Sequence, residues 1–370
     1  MRICYLFNSS TPSSNPGSIQ VVNTCAAISE LSHDIRLIVP NTGLNLSLKK
    51  FYGIKKSPKL IKLKYFKKFP LGLNYYLFSI FSIFNGICNN SELYITRNYF
   101  TLFLLILLKK KVIIEVHHDL KNEGRLINIL YKYFDIFNNK NIIKVVAITN
   151  PVKKYLISNF RVDKKKIEII PSASALKFKF NKIKKKKMYN IGYFGSLDSS
   201  KGSDFIIKLS NKDKKNKYFI YGGSKEEVLR FKKKNIPKNL QINQSVQYSR
   251  IKKNMSKMDI LLMPSNPKKL RSLGGIGNIA KYTSPIKLFD YLASGKIIIT
   301  SNLKVFHEIL QNNKNCMIIN NLKTDAWIKV INNLKMKIPM VNTIKKNAYN
   351  LSKDHTYIKR AQRILKFDHH

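Results

Sequence analysis

The apolar residues of this chain fall into short continuous runs separated by longer mixed stretches. Residues 2–7, 34–40, 93–96, 112–116, 145–148 and 167–170 read as strands buried on both faces, and 190–194, 218–221, 259–263 and 297–300 repeat the pattern. Uninterrupted apolar strands alternating with helix-length segments predict parallel sheets covered by helices, an α/β chain. The opening is a strand, a Ser/Pro/Asn/Gly loop over 8–18, a helix from about 19 to 31 and a second strand, which is the start of a Rossmann-like half. Residues 41–70 are lysine-rich and weakly patterned. The apolar stretches 71–87 and 99–108 predict core helices; the first carries Asn74 and Asn85, and the second is too short for the roughly 20 residues of a bilayer span. The basic, unpatterned residues 177–187 predict a linker, and 326–334 and 348–367 predict late helices. The expected organisation is a first domain over 1–175, a linker over 176–188, a second domain over 189–350 and a terminal helix over 351–370.

The best-delimited helix is the run from Ser284 to Gly295. Ser284 offers a capping hydroxyl, Pro285 suits the first helical position, and Gly295 is a plausible C-cap. Lys287 and Asp290 are three residues apart and so share a face. A cation beside a helix N-terminus attracts phosphate, and a carboxylate suits sugar hydroxyls. Upstream, Gly195-Ser196-Leu197-Asp198-Ser199-Ser200-Lys201-Gly202 is a glycine-bounded turn between strand and helix, where backbone N–H groups and Lys201 can meet a phosphate, although it is not a Walker loop. In the first half, strands end at Arg97 and at His117-His118-Asp119, which places titratable groups at the mouth of a sheet. The first loop has Gly17 and Ser18 but no G-x-G-x-x-G fingerprint, so a dinucleotide is not expected.

Composition widens the picture. Of 370 residues, 44% are hydrophobic, enough for two cores. Lys and Arg number 68 against 20 acids, a net charge of +48, which favours anionic partners. The excess is lysine spread along the chain, as at 164–166 and 184–187, rather than arginine clustered with aromatics. That argues against a specific nucleic-acid binder, the main alternative class, and leaves an anionic membrane surface as a partner. Cys4, Cys25, Cys88 and Cys316 are widely spaced, so reduced thiols and no metal site are expected. Residues 1–7 do not look like a signal peptide, which predicts a cytoplasmic protein.

Several segments, in order, resemble the retaining glycosyltransferases of family 4: Tyr94-Ile95-Thr96-Arg97-Asn98, Val112-Ile113-Ile114-Glu115-Val116-His117, Ile167-Glu168-Ile169-Ile170-Pro171, Gly192-Tyr193-Phe194-Gly195-Ser196 with Lys201-Gly202, and Asp259-Ile260-Leu261-Leu262-Met263-Pro264. The strongest is Ser284-Pro285-Ile286-Lys287-Leu288-Phe289-Asp290-Tyr291-Leu292-Ala293-Ser294-Gly295, which resembles a branch with Ser-Pro-x-Lys-Leu-Phe-Glu/Asp-Tyr. The resemblance implies the GT-B fold: two Rossmann-like domains facing across a cleft, with a last helix crossing back to the first. It implies a nucleotide-diphosphate sugar donor, no metal or other cofactor, retention of configuration, and a glycan or lipid-linked acceptor in cell-surface polysaccharide synthesis. By position it gives Lys201 and Lys287 to the diphosphate, Asp290 to the ribose, and His117 or His118 to the transferring sugar. Gly17, Ser18, Arg97, Gly195, Ser196, Gly202, Ser284, Pro285, Ile286 and Leu288 would line the donor. A GT-B epimerase or hydrolase is the nearest alternative. Three departures stand out: Tyr282 occupies the place of the family's first acid, Asp290 is shorter than the usual Glu, and Ser196 replaces a frequent arginine. The glycines at 274, 275 and 277 leave the preceding loop free to close over the donor sugar, or to serve as a plain connector.

Overall fold

The protein is described from a computed structural model covering residues 1–43, 46–64, 70–120, 123–232, 236–271 and 277–367. Gly274 and Gly275 lie outside them, so the loop they belong to is described only at its two ends. The chain divides into two units, one of Met1–Ser172 with Tyr357–His370 and one of Ala173–Thr356.

The first unit alternates strand and helix: β1 (Arg2–Leu6), α1 (Pro16–Glu30), β2 (Asp34–Pro40), α2 (Leu48–Tyr52), β3 (Lys59–Leu63), α3 (Leu71–Cys88), β4 (Leu93–Thr96), α4 (Tyr99–Leu107), β5 (Val112–Val116), α5 (Arg125–Tyr133), β6 (Ile142–Ala147), α6 (Asn150–Phe160) and β7 (Ile167–Ile169). All strand pairs are parallel, in the order β3-β2-β1-β4-β5-β6-β7. The apolar strands are central, as their uniform hydrophobicity requires, and β1, β4 and β5 are buried almost throughout. The weakly patterned 41–70 region contributes α2 and the edge strand β3, whose Lys-Leu-Ile-Lys-Leu sequence is only half-buried. The first helix begins at Pro16, earlier than the apolar pattern places it. Proline supplies the preset φ of a first turn, and polar Ser18, Gln20 and Asn23 are buried within the helix, which hides its start from a hydrophobicity count.

The second unit contains β8 (Asn190–Phe194), α7 (Ser203–Lys212), β9 (Lys217–Tyr221), α8 (Lys225–Lys232), β10 (Leu240–Asn243), α9 (Tyr248–Ser256), β11 (Ile260–Met263), α10 (Ile286–Ser294), β12 (Ile297–Ser301), β13 (Met317–Ile319), α11 (Thr324–Met336) and α12 (Ile338–Ser352). Its sheet is parallel in the order β10-β9-β8-β11-β12-β13. Trp327 is fully buried in one core layer, edge-on to Phe205, and α10 fills the other with Leu288, Phe289, Tyr291 and Leu292. Residues 178–183, basic and unpatterned in sequence, lie along α12: Tyr349 donates to the Phe178 carbonyl (2.9 Å), Lys345 to that of Asn181 (2.7 Å), and Asn342 accepts from the Ile183 N–H (2.8 Å).

The late helix predicted over 348–367 is two helices. α12 stops at Ser352, and α13 (Tyr357–Leu365) belongs to the first unit, where it packs on α1. The second unit closes on itself at this break: Ser174 pairs with Thr356, and the Ser174 N–H donates to the His355 carbonyl at 3.0 Å. Cys4, Cys25 and Cys316 are buried free thiols and Cys88 is an exposed one. Among the described residues, no helix is long and apolar enough to cross a membrane.

Candidate active site

In the second unit the site is built where the chain leaves β8. Gly195 bonds to the Tyr221 carbonyl (3.0 Å), and the next strand's loop crosses so closely that a Cβ on Gly222 would lie 1.7 Å from the Gly195 oxygen. The chain then makes a single helical turn over Ser199–Lys201, capped by the Asp198 carboxylate on the Ser200 N–H (2.7 Å). Gly202 ends the turn at φ +93°, with Pro264 backbone where a Cβ would be. A side chain there is excluded both by strain and by contact. This turn holds Lys201 in place, and the Ser196 hydroxyl is buried with no partner among the described residues.

The helix after Tyr282 presents the second lysine. α10 begins at Ile286, one residue later than a Ser284 cap would give. Pro285 is the cap residue, and no side chain caps the helix. Proline has no side-chain acceptor to offer the first N–H groups. Gly295 closes the helix in the left-handed conformation, as its position predicts. Ile286 and Leu288 point into the core, so any contact they make with a ligand is through backbone. Lys287 is partly buried with its ammonium 4.7 Å from the centroid of the Tyr193 ring, a cation–π contact. Burial, and then repulsion from Lys201, pushes the Lys287 pKa down to about 7. Lys201 is also lowered by burial, offset in part by Asp198. Among the described residues neither ammonium has a carboxylate at ion-pair distance. Two neighbouring, partly desolvated cations, with Asp198 acting on Lys201 alone, leave a surplus of positive charge that suits a polyanion.

Asp290 does not neutralise them. Its Oδ1 accepts from Ser174 Oγ (2.6 Å) and Tyr248 OH (2.8 Å), and among the described residues no donor reaches Oδ2. Burial raises its pKa to about 7 against the lowering effect of those two bonds. One carboxylate oxygen is thus fixed by two donors. Ser174, Tyr248 and Tyr193, which complete this arrangement, carry no local sequence signal. Tyr282, at the place of the missing acid, is a buried ring under the Lys281 ammonium.

In the first unit, His117 follows β5. Its Nε2 lies 3.3 Å from Glu115 Oε2. Glu115 is fully buried and takes a forked ion pair from Arg360 of α13 (2.8 and 3.2 Å), which also donates to Thr24 Oγ1 (3.0 Å) and the Pro171 carbonyl (3.2 Å). Burial alone would raise the Glu115 carboxyl; Arg360 and His117 overcome that and hold it below the ordinary carboxylate range. An ionised Glu115 can only accept, so Nε2 of His117 carries the proton and Nδ1 is a bare acceptor. Burial, then Arg97, pushes the His117 pKa down to about 3, so its imidazole is neutral at physiological pH. His118 is separate, with Nδ1 on the Asp119 carbonyl (2.7 Å) and Nε2 at 3.5 Å from Glu123. Arg97 lies beside Gly17 and over the Phe7 ring, with Nη1 buried and unbonded. The Ser18 hydroxyl is engaged by Thr11 (3.0 Å) and Tyr52 (2.7 Å). Glu115 was detectable in principle as a charge inside an apolar strand; Arg360 was not. Among the described residues, no three His, Cys, Asp or Glu side chains are placed to hold a metal ion.

Residues 175–351 match the family described as "Glycosyl transferases group 1". Over the second unit the chain is therefore similar to the group 1 glycosyltransferases. Solved structures similar over nearly the whole chain give the fold. Sucrose-phosphate synthase from Thermosynechococcus elongatus has a TM-score of 0.73 at 12% identity, over 98% of this chain and 97% of that one. HepE of Anabaena in complex with UDP-glucose has 0.67 at 12%, over 98% of each chain. WaaG, a glycosyltransferase involved in lipopolysaccharide biosynthesis, has 0.63 at 12%, also over 98% of each. The two parallel sheets and the return of α13 to α1 are the GT-B fold. No curated protein matches the sequence.

Proposed function

We propose that this transferase moves a hexose from a UDP-hexose to a glycan or lipid-linked acceptor in cell-surface polysaccharide synthesis, at the cytoplasmic face of the membrane. The observation that carries the donor assignment is the Lys201/Lys287 pair, two half-buried cations with no carboxylate at ion-pair distance among the described residues, beside the N-terminus of α10. In this reading the lysines and helix-end N–H groups bind the diphosphate and stabilise the charge that builds on it as the anomeric C–O bond breaks. The acceptor oxygen bonds to the same face of that carbon, and its proton passes to the departing phosphate. Oδ2 of Asp290 accepts from a ribose hydroxyl. Neutral His117 accepts at Nδ1 from a hydroxyl of the transferring sugar; with its low pKa it positions the sugar rather than removing a proton. The uridine choice is supported by the UDP-glucose held by HepE, and the acceptor class by the lipopolysaccharide role of WaaG.

A thermal-shift screen against UDP-, GDP-, ADP- and CMP-sugars tests it. The expected result is stabilisation by UDP-hexoses, lost in Lys201→Ala and in Lys287→Ala. Stabilisation that survives both substitutions removes the donor assignment, and a stronger response to another base replaces uridine.

A further inference from the structure

We infer that the outer face of α3 and the end of α4 form a docking surface for an anionic lipid bilayer. This deepens the lipid-linked acceptor reading and rests on it for its purpose, though not for its observations. α3 has 18 residues and no charged one. Its inner face is fixed to the sheet: Phe78, Ser79, Ser82 and Ile83 are buried, and Gly86 packs so closely on Tyr94 that a Cβ would lie 2.8 Å from its ring. A surface helix anchored this way normally turns a polar face to water. Here the outward positions are Leu73, Ile80, Phe81 and Phe84, and Phe84 is 69% exposed.

α4 extends the surface. It too has no charged residue, and it ends in Leu107 (61% exposed) and Leu108 (49%). Both helices return between parallel strands, so they run in the same direction. Their register is set by Ser79, whose hydroxyl accepts from Asn98 and Thr101 (3.2 and 3.0 Å), and by the edge contact of Tyr76 with Phe100 (4.7 Å). That offset sets Phe84 toward the C-terminal end of α4. The next residues are Lys109, Lys110 and Lys111, at the border of the apolar strip.

An apolar strip ending in cations, on a chain of net charge +48, is complementary to acyl chains beneath acidic headgroups. No helix of the described residues is built to cross the bilayer. α3 therefore lies along the surface with its aromatic side inserted, and a lipid-linked acceptor would be met at the membrane without crossing it.

Co-sedimentation of the full chain with vesicles of phosphatidylcholine, alone or mixed with phosphatidylglycerol, tests this. The parent should partition onto the mixed vesicles and weakly onto the neutral ones. Phe81→Ser/Phe84→Ser, both exposed and outside the core, should lower partitioning at least about tenfold on mixed vesicles. Lys109→Asn/Lys110→Gln/Lys111→Gln should lower it roughly fivefold per lysine at low salt and little at high salt. UDP-hexose stabilisation measured on the same proteins should be unchanged, which separates failure of this surface from failure of the transferase reading. The proposal is overturned if the parent stays in solution, or if the Phe81/Phe84 variant binds vesicles as the parent does. It is equally overturned if the parent self-associates through this face and the variant is monomeric, since the patch is then an interface between copies.

Discussion

A single lysine carries the sharpest conflict between stability and function. Lys287 sits with its pKa lowered to about 7 by burial and by Lys201, whereas in the unfolded chain it is an ordinary lysine near 10.4. The unfolded state therefore binds the proton more readily. The resulting penalty is full below about pH 7 and fades as pH rises toward the unfolded value. Lys287→Met should raise the melting temperature at pH 7, measured by calorimetry, and weaken UDP-hexose binding by about 10- to 100-fold. Binding should also titrate. A nucleotide sugar carries a diphosphate diester that does not itself protonate in this range, so its affinity should fall by up to about tenfold per pH unit above 7 as Lys287 loses its charge. Lys287→Arg, charged at every pH, should flatten that profile. A profile that stays steep in Lys287→Arg would assign the titration to another group. The residue types of this site were legible: Lys201, Lys287 and Asp290 stand at glycine-bounded or proline-marked turns. Their surroundings were not. Ser174 is 116 residues and Tyr248 42 residues from Asp290, and Tyr193 has the pattern of any core tyrosine.

At the scale of elements, α13 carries a fully buried ion pair besides the half-exposed one between Arg363 and Glu168. Glu115 interrupts the apolar strand β5, and Arg360 reaches it from 245 residues away to fill both carboxylate oxygens. Such a pair contributes little compared with a well-packed apolar replacement, but removing one member strands the other charge. Arg360→Leu should destabilise the first unit by about 3–5 kcal/mol in urea denaturation, and Glu115→Leu/Arg360→Leu should recover most of it. Because the Glu115 carboxyl is held below its unfolded value, the parent's advantage over the double variant is present above about pH 4.3 and is lost as pH falls further. Equal stability of the single and double variants would mean that Glu115 finds another cation. The strand itself was readable from Val-Ile-Ile-Glu-Val, and so was the need for a partner. No local periodicity contains the partner's position. The short edge strands escaped for a different reason: β3 is only half-buried and carries two lysines, β10 alternates buried with more exposed residues, and β13 has only three, so none of them shows the continuous apolar run that marks a central parallel strand.

For the whole molecule, the order of contacts departs from the order of sequence. The second unit is an insertion in the first: it begins at Ala173, ends at Thr356, and its two ends are joined through Ser174, His355 and Thr356. A chain whose ends meet can fold without what lies outside it. The first unit is in the opposite position, because residues 1–172 lack the helix that covers α1 and neutralises Glu115. The pattern of apolar runs conveyed two parallel sheets but could not convey this dependence, which lives in contacts of Arg360 and Arg363 with residues far apart along the chain. It leads to a test of architecture that does not involve activity. The fragment 173–356 should fold alone and be stabilised by UDP. The fragment 1–172 should show no cooperative urea transition, whereas 1–172 joined by a short glycine linker to 357–367 should regain one. The join is sterically reasonable, since Arg360 already bonds the Pro171 carbonyl at 3.2 Å. If 1–172 unfolds cooperatively at the same urea concentration with and without the helix, α13 is a passenger on the first unit. If only the joined fragment does so, the final helix completes the fold that places His117, and a transferase truncated before Tyr357 would lose that unit while keeping its donor lysines.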